Sequence, residues 1–478
     1  MLTISGCGGI FKGIPRHCRL LFLILAALLV ASHLCHVGIL WEGDAYPLAA
    51  ARQMLYGKAL YRDIWFDKPP LMPAIYLLLG ALPGWPLRLA GALYALAACW
   101  IAYRFARGLW SQREGVWAAA LLGFFLIFDI PSAVIPVASD LLMLAPHLAA
   151  VWLAWRRWAF WSGVAVAVAF WINPKGLLVA AVCVLWYPAG VWMLAAGFAA
   201  ASGVVVAWLW AAGALAAYGD EVWRWGRLYA GSPFVERPVA NGLARTLNWA
   251  GYHAAAIVAV AWLWVGREPR ERAATWPWLA WLILSLIGVA AGLRFFPRYY
   301  FLLLPVIVLM AARGFCLLGQ WQILATLLLL IPAVRFGPSY VAALTNAEWR
   351  DTAMDRDSRA ASALLRQMAK PGDTLFVWGY RPEIYIYTRL PAASVFLESQ
   401  PLTGVPADRH LTHSEAVESG QPAQRRIDLT RSSPAFIVDG LGSYNPRLAI
   451  TNYPDLRGWL GQYEVAGRSP GAVIYTRR

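Results

Sequence analysis

WEGDAYPLAAARQMLYGKALYRDIWFDKPPL, residues Trp41 to Leu71, follows the first long apolar segment and decides how the rest of the chain is read. Glu42, Asp44, Asp63 and Asp67 alternate with Arg52, Lys58, Arg62 and Lys68. Aromatic residues (Tyr46, Tyr56, Tyr61, Trp65, Phe66) sit between the charges, as they do where a chain lies along a membrane–water interface. Asp44 precedes a helix-like run, Ala45 to Tyr56, that Gly57 is suited to stop. Lys68 stands before Pro69-Pro70, which hold the backbone extended and restrict the lysine itself. An acid at one end and a lysine at the other, each on a stiffened frame, point to a site for an anionic substrate. The competing reading is an ordinary charged surface loop.

The whole chain explains why such a loop stands out. It has 478 residues, 60 % hydrophobic and only 14 % charged, with 27 tryptophans. A soluble domain has no way to hide that much apolar surface, so the composition predicts a polytopic α-helical membrane protein. The net charge of +15 is unevenly placed. From Thr345 onward there are 14 acids and 16 bases, which leaves 12 of the 26 acids but 25 of the 41 bases in residues 1–344. A basic membrane half predicts contact with anionic lipid headgroups, with nucleic acid a poor second, and no nucleic-acid partner is expected. The six cysteines (Cys7, Cys18, Cys35, Cys99, Cys183, Cys316) have no metal-ligand spacing and lie in or near apolar segments or in the N-terminal tail, so neither disulfides nor structural zinc are expected.

Charge bias orders the segments. Lys12, Arg16 and Arg19 keep the N-terminus in the cytoplasm, and residues 20–40 form an uncleaved first span. The Trp41–Leu71 loop is then outside. Residues 71–82 are apolar but short for a crossing and broken by Pro73, which suits an interfacial helix. If 71–82 does not cross, the short loops carrying Arg104, Arg107 and Arg113, Arg156 and Arg157, and Arg267, Arg270 and Arg272 are cytoplasmic. The following spans read as 87–105, 115–130, 140–155, 158–172, 176–188, 190–214, 250–265, 275–291, 298–312 and 318–334, giving about eleven in all. The N-terminus is inside and the C-terminus outside. Most carboxylates of the membrane half, among them Glu42, Asp44, Asp63, Asp67, Asp129, Asp140, Asp220, Glu221 and Glu236, then face outward. Outer turns at 173–175 and 293–300 bring Lys175, Arg294, Arg298 and Tyr299 to the same side, and the loop 216–249 reads as interfacial. Past Thr345 a polar helix-like run (346–370) and apolar stretches at 373–378, 435–438 and 472–475 predict a small α/β domain, 345–478, outside the cytoplasm.

The spacing of these residues carries a resemblance. Asp44, Tyr46, Ala51, Met54 and Gly57, then Tyr61-Arg62-Asp63, then Asp67-Lys68-Pro69-Pro70-Leu71, resemble the first outer loop of the GT-C glycosyltransferases. Within that superfamily they are similar to the protein O-mannosyltransferases and the bacterial lipid A aminoarabinose transferases. Arg298-Tyr299-Tyr300 with Pro305, and Gly372-Asp373-Thr374 with Trp378-Gly379, are similar to later landmarks of bacterial members. The resemblance implies a membrane-embedded catalytic module over 1–344, with the site in the first outer loop (41–86). It implies a sugar on a polyprenyl phosphate as donor, an undecaprenyl type in the inner membrane of a bacterium. The acceptor is a lipid such as lipid A, another glycan or a protein outside the cytoplasm. By the same resemblance Asp44 is the catalytic base of an inverting transfer, because attack on the anomeric carbon needs the acceptor hydroxyl deprotonated. The alternative for Asp44 is an N-cap of the helix that follows it.

Lys68 matches the lysine that meets the donor phosphate, where a fixed cation stabilises the leaving group. Lys175, Arg298 and Tyr299 are further candidates for the phosphate. Asp67, Asp140 and Glu42 are candidates for support or for holding a divalent cation. His33, His36 and His147 lie within apolar spans and are read as packing residues. Two other functions stay open from sequence: a flippase or transporter for lipid-linked saccharides, and a transferase of the O-antigen-ligase kind with a diphosphate donor. The first expects charge near the bilayer midplane; the second expects its large outer loop late in the chain, whereas here the charged loop comes first.

Overall fold

The computed structural model describes residues 16–232, 235–265, 275–406, 411–412, 414–418 and 420–478. The N-terminal tail with Cys7 and Lys12, and the 266–274 segment with Arg267, Arg270 and Arg272, lie outside the described residues. The longer helices are α1 (Arg16–Leu34), α2 (Glu42–Leu55), α3 (Leu71–Leu78), α4 (Trp85–Leu109), α5 (Gln112–Ile127), α6 (Leu144–Trp155), α7 (Ala159–Ile172), α8 (Gly176–Trp186), α9 (Val191–Ala211), α10 (Pro238–Tyr252), α11 (Ala254–Val265), α12 (Trp276–Ala290), α13 (Leu304–Leu317), α14 (Leu330–Thr345) and α15 (Ala353–Met368). Three helical stretches among the described residues, Trp85–Leu109, Pro188–Ala211 and Gly319–Thr345, are long and apolar enough to cross a membrane. Seven more are apolar and shorter. α3 has eight residues, about 12 Å of helix, well short of a bilayer core of about 30 Å.

Glycines set the closest helix contacts. A Cβ on Gly163 of α7 would fall 2.0 Å from the Leu194 carbonyl oxygen of α9, and one on Gly197 would fall 2.0 Å from the Phe160 carbonyl oxygen. The two backbones therefore meet with no side chain between them, as small residues allow where no water drives helices together. Gly314 of α13 approaches the Ala259 carbonyl of α11 in the same manner, at 1.9 Å for the missing Cβ.

The chain leaves α14 through Asn346, whose left-handed backbone (φ 51) ends the helix. Beyond it stands a four-stranded sheet in the order β1-β2-β4-β3, with β1 (Leu375–Trp378), β2 (Phe436–Asp439), β3 (Tyr463–Ser469) and β4 (Ala472–Arg477). β1 and β2 run parallel, and the other two pairings are antiparallel. Every residue of β1 and β2 is buried, which is why both read as unbroken apolar runs. β3 has no counterpart in the sequence reading, because it lies at the sheet edge and only Tyr463 of its seven residues is buried.

This sheet region is fastened to the 41–71 loop. Trp65 N–H donates to the Val395 carbonyl at 2.8 Å, and Lys58 Nζ to the Ala392 carbonyl at 2.6 Å. Ala392 N–H donates to Gln53 Oε1 at 2.9 Å, and Leu40 N–H to Asp355 Oδ1 at 3.0 Å. The loop is thus held from both sides, by membrane-type helices below and by the sheet region above.

Candidate active site

The start of α2 separates two acids that lie two positions apart in sequence. Trp41 is extended (φ −94, ψ 161) and occupies the cap position, so the helix begins at Glu42, ahead of the Ala45 start expected from sequence. Asp44 is therefore inside the first turn and is not the cap residue. Two helical steps turn a side chain by about 200°, which sends Glu42 and Asp44 to nearly opposite sides.

Asp44 points into the protein and its side chain is fully buried. Arg88 Nη1 lies 2.7 Å from its Oδ2, while Tyr76 Oη and Val137 N–H donate to Oδ1 at 2.7 and 2.9 Å. Arg88 is equally buried and also donates to the Ile39 and His36 carbonyls, at 2.6 and 3.3 Å. Both oxygens of Asp44 are thus engaged, and the pair ties α2, α3, α4 and the 131–138 segment together. Glu42 faces the other way, with Oε1 3.3 Å from Arg298 Nη2. Gly43 makes room for that arginine, since a Cβ there would stand 2.9 Å from Arg298 Nη1.

The lysine end of the loop is held by its backbone. Tyr61 adopts a left-handed conformation (φ 65), and its hydroxyl donates to the Lys68 carbonyl at 2.7 Å. Phe66 N–H donates to Glu221 Oε2 at 2.8 Å, and burial pushes the Glu221 carboxyl up to about 9. Lys68 Nζ sits 2.7 Å from Asp67 Oδ2. Burial alone would lower the Lys68 ammonium, but Asp67 and Tyr229 outweigh it and hold its pKa above the ordinary value. Asp67 Oδ1 is buried and accepts no hydrogen bond among the described residues.

A second cation comes from the turn between α7 and α8. Lys175 Nζ stands 3.3 Å above the ring centre of Tyr299 and 3.9 Å from Asp140 Oδ1, an oxygen that also accepts from Asn173 Nδ2 at 3.0 Å. No hydrogen bond reaches the ammonium among the described residues. Burial lowers its pKa to about 8; Asp140 offsets only part of that, and Lys68 adds repulsion.

These groups share one cavity of about 570 Å³. Glu42, Asp67, Lys68, Asp140, Lys175, Arg298 and Tyr299 all line it, and Asp44 does not. Tyr229, from the 216–249 loop, lines it too, with its hydroxyl 3.3 Å from that of Tyr299. Tyr380, Met354 and Asp355 close it from the sheet side, while Pro47, Ala133, Ile172 and Val222 make the wall apolar elsewhere. Arg294 is drawn aside: it is buried, stacks 3.9 Å over Tyr229 and donates to the Ser232 carbonyl at 2.9 Å. Among the described residues no three of His, Cys, Asp and Glu are grouped to hold a metal ion. Glu42, Asp67 and Asp140 each face a cation of the protein: Arg298, Lys68 and Lys175 in turn.

Sequence reasoning missed Arg88, Tyr76, Tyr229 and Tyr380. Arg88 alone left a signal, as a lone charge near the start of an apolar helix.

No protein-family model matches the sequence, and no curated protein does. Solved structures do match. ArnT, the lipid A aminoarabinose transferase, from Cupriavidus metallidurans bound to undecaprenyl phosphate superposes with a TM-score of 0.59 at 18 % identity, over 97 % of this chain and 98 % of that one. The fold is of the GT-C type. The Archaeoglobus fulgidus oligosaccharyltransferase AglB, in complex with an inhibitory peptide and a dolichol-phosphate, has a TM-score of 0.53 at 11 % identity, over 90 % of this chain and 70 % of that one. The mycobacterial arabinofuranosyltransferase AftD has a TM-score of 0.50 at 16 % identity, over 97 % of this chain but 40 % of the longer AftD chain. The GT-C neighbours are glycosyltransferases, and those solved with lipid carry polyprenyl phosphates.

Proposed function

We propose that this protein is an integral-membrane glycosyltransferase that moves a monosaccharide from a polyprenyl phosphate, of the undecaprenyl kind, to an acceptor outside the cytoplasm. The observation that carries the reading is the convergence of Lys68, Lys175 and Arg298 on one half-apolar cavity that also presents carboxylates. Three cations suit a phosphate monoester whose negative charge grows as it leaves, and the apolar wall suits its lipid.

In the proposed reaction the acceptor hydroxyl oxygen forms a bond to the anomeric carbon while the bond from that carbon to the phosphate oxygen breaks. The electron pair of the broken bond stays on the polyprenyl phosphate, beside Lys68 and Arg298. The hydroxyl proton passes to Glu42, the carboxylate at the start of α2 that faces the cavity. Asp44, sealed against Arg88, is a positioning residue that fixes the helix from which Glu42 projects. Lys175 and Tyr299 complete the phosphate cradle, and Asp140 with Asn173 orients Lys175. Asp67 holds the Lys68 ammonium in place. No step runs through a divalent cation.

The test is transfer by the purified chain in lipid nanodiscs supplied with undecaprenyl-phosphate sugars. Lys68→Ala should lower turnover on the order of 10²–10³-fold, the usual loss when a group stabilising developing negative charge is removed. Lys68→Arg should recover part of it. Wild-type turnover by Lys68→Ala would remove the phosphate assignment.

A further inference from the structure

A second cationic basin lies far from the catalytic cavity. Arg104, Arg107 and Gly108 near the end of α4, with Trp152, Trp155 and Arg156 at the end of α6, enclose an open recess of about 410 Å³. Arg88, which pairs with Asp44 beneath the active site, and Arg107 are both on α4. Their separation along that helix is about 28 Å, close to the thickness of a bilayer core. In the membrane-spanning reading the basin therefore opens on the face opposite the site of transfer.

Its arginines are held by aromatic rings and not by acids. The Arg104 guanidinium lies 5.6 Å from the Trp100 ring centre and 5.8 Å from that of Trp152. Arg156 lies 5.9 Å from Trp152 and 4.6 Å from Trp158, and Arg107 lies 6.0 Å from Tyr103. None of the three pairs with a carboxylate among the described residues. The acid that follows on α5, Glu114, is engaged by Ser111 and by Arg313 at 2.7 Å. Cations at helix C-termini are favoured by the helix dipole, which accounts for arginines at these two ends. It does not account for three of them converging around one recess, each beside an aromatic ring. Gly108 keeps the recess in shape, because a Cβ there would fall 2.9 Å from the Trp155 ring.

We propose that this basin binds the phosphate headgroup of an anionic lipid of the leaflet opposite the transfer site. Weakly hydrated guanidiniums give up water to a phosphate more readily than ammoniums do, and their forks match its oxygens. Exposed Trp158, whose ring Arg156 meets, stands beside the basin and is the residue type that settles at headgroup depth, which favours a lipid over a free phosphate.

The experiment is native mass spectrometry of the full-length chain released from detergent, with phosphatidylglycerol, phosphatidylcholine or inorganic phosphate added. The wild type should retain a tightly bound phosphatidylglycerol and not phosphatidylcholine. The triple change Arg104→Gln, Arg107→Gln, Arg156→Gln should weaken that retention on the order of 100-fold, about fivefold for each charge removed. A charge-matched control in the C-terminal region, Arg431→Gln, Arg447→Gln, Arg457→Gln, should leave it unchanged. If the triple variant does not fold, each single change is measured for its fivefold share. Equal retention by the basin variant, or an equal loss in the control, overturns the site. Inorganic phosphate displacing the lipid at equal concentration overturns the lipid assignment in favour of a free anion.

Discussion

Asp44→Asn distinguishes the two acids at the head of α2. The substitution removes one charge from a pair that is fully buried on both sides. Arg88 keeps its bonds to the Ile39 and His36 carbonyls but loses the carboxylate 2.7 Å away, and an uncompensated buried charge costs about 3–5 kcal/mol. The remaining carbonyl contacts place the loss at the low end, about 3 kcal/mol, or a factor of roughly 100 in the folding equilibrium. Asp44→Asn combined with Arg88→Met should restore part of it, because the uncompensated buried charge is then gone while the Ile39 and His36 carbonyls lose their donor. The assay has two arms. Unfolding midpoints in detergent should fall for Asp44→Asn and recover in part in the double variant. Turnover per folded molecule should stay within about tenfold of wild type for Asp44→Asn, while Glu42→Gln keeps its stability and loses about 10²–10⁴-fold in rate, as expected for a removed base. An Asp44→Asn protein of normal stability and no turnover would refute the reasoning and return the proton to Asp44.

Lys175 is charged below a pKa of about 8, so donor binding should weaken as pH rises from 7 to 9, and Lys175→Arg should flatten that profile in a donor-binding titration. Glu221, raised by burial to about 9, is protonated in the fold at pH values where it ionises once unfolded. Its contribution to stability is fully present below its unfolded value and is lost as pH rises toward 9, so Glu221→Gln should remove that part of the decline in melting temperature. Gly43→Ala places a methyl 2.9 Å from Arg298 Nη1 and should raise the KM for donor several-fold while leaving the melting temperature within a few degrees. Gly163→Ala forces α7 from α9 at a 2.0 Å contact and should destabilise the chain without a specific change in KM.

The sequence made the site's address legible and left its wiring hidden. Composition and hydropathy sufficed for a mostly helical chain with helices apolar enough to cross a membrane and a charged first loop, because those features follow from residue type along the chain. Seven of the eight residues singled out do line one cavity. The opposite facings of Glu42 and Asp44 were not legible. They depend on where α2 begins, and a shift of the helix start by a few residues exchanges the inward and outward faces. Tyr380 escaped notice because it reaches the cavity from more than 300 residues away, just past β1, and nothing in the sequence pairs that turn with the first loop.

The bonds that fasten the sheet region to the 41–71 loop bear on how this chain tolerates exchange. Trp65 N–H to the Val395 carbonyl joins backbone to backbone, while the Lys58 and Gln53 side chains reach the backbone of Ala392, so these joints depend on register and on those two side chains together. A chimera that replaces everything after Thr345 with the equivalent region of a distant relative would inherit the wrong register at each of these joints. Donating the loop and the sheet region together keeps them matched. In the proposed reading, acceptor preference should therefore transplant between chains of this fold only as a two-piece graft, and single-piece swaps should yield folded halves that no longer close over the same cavity.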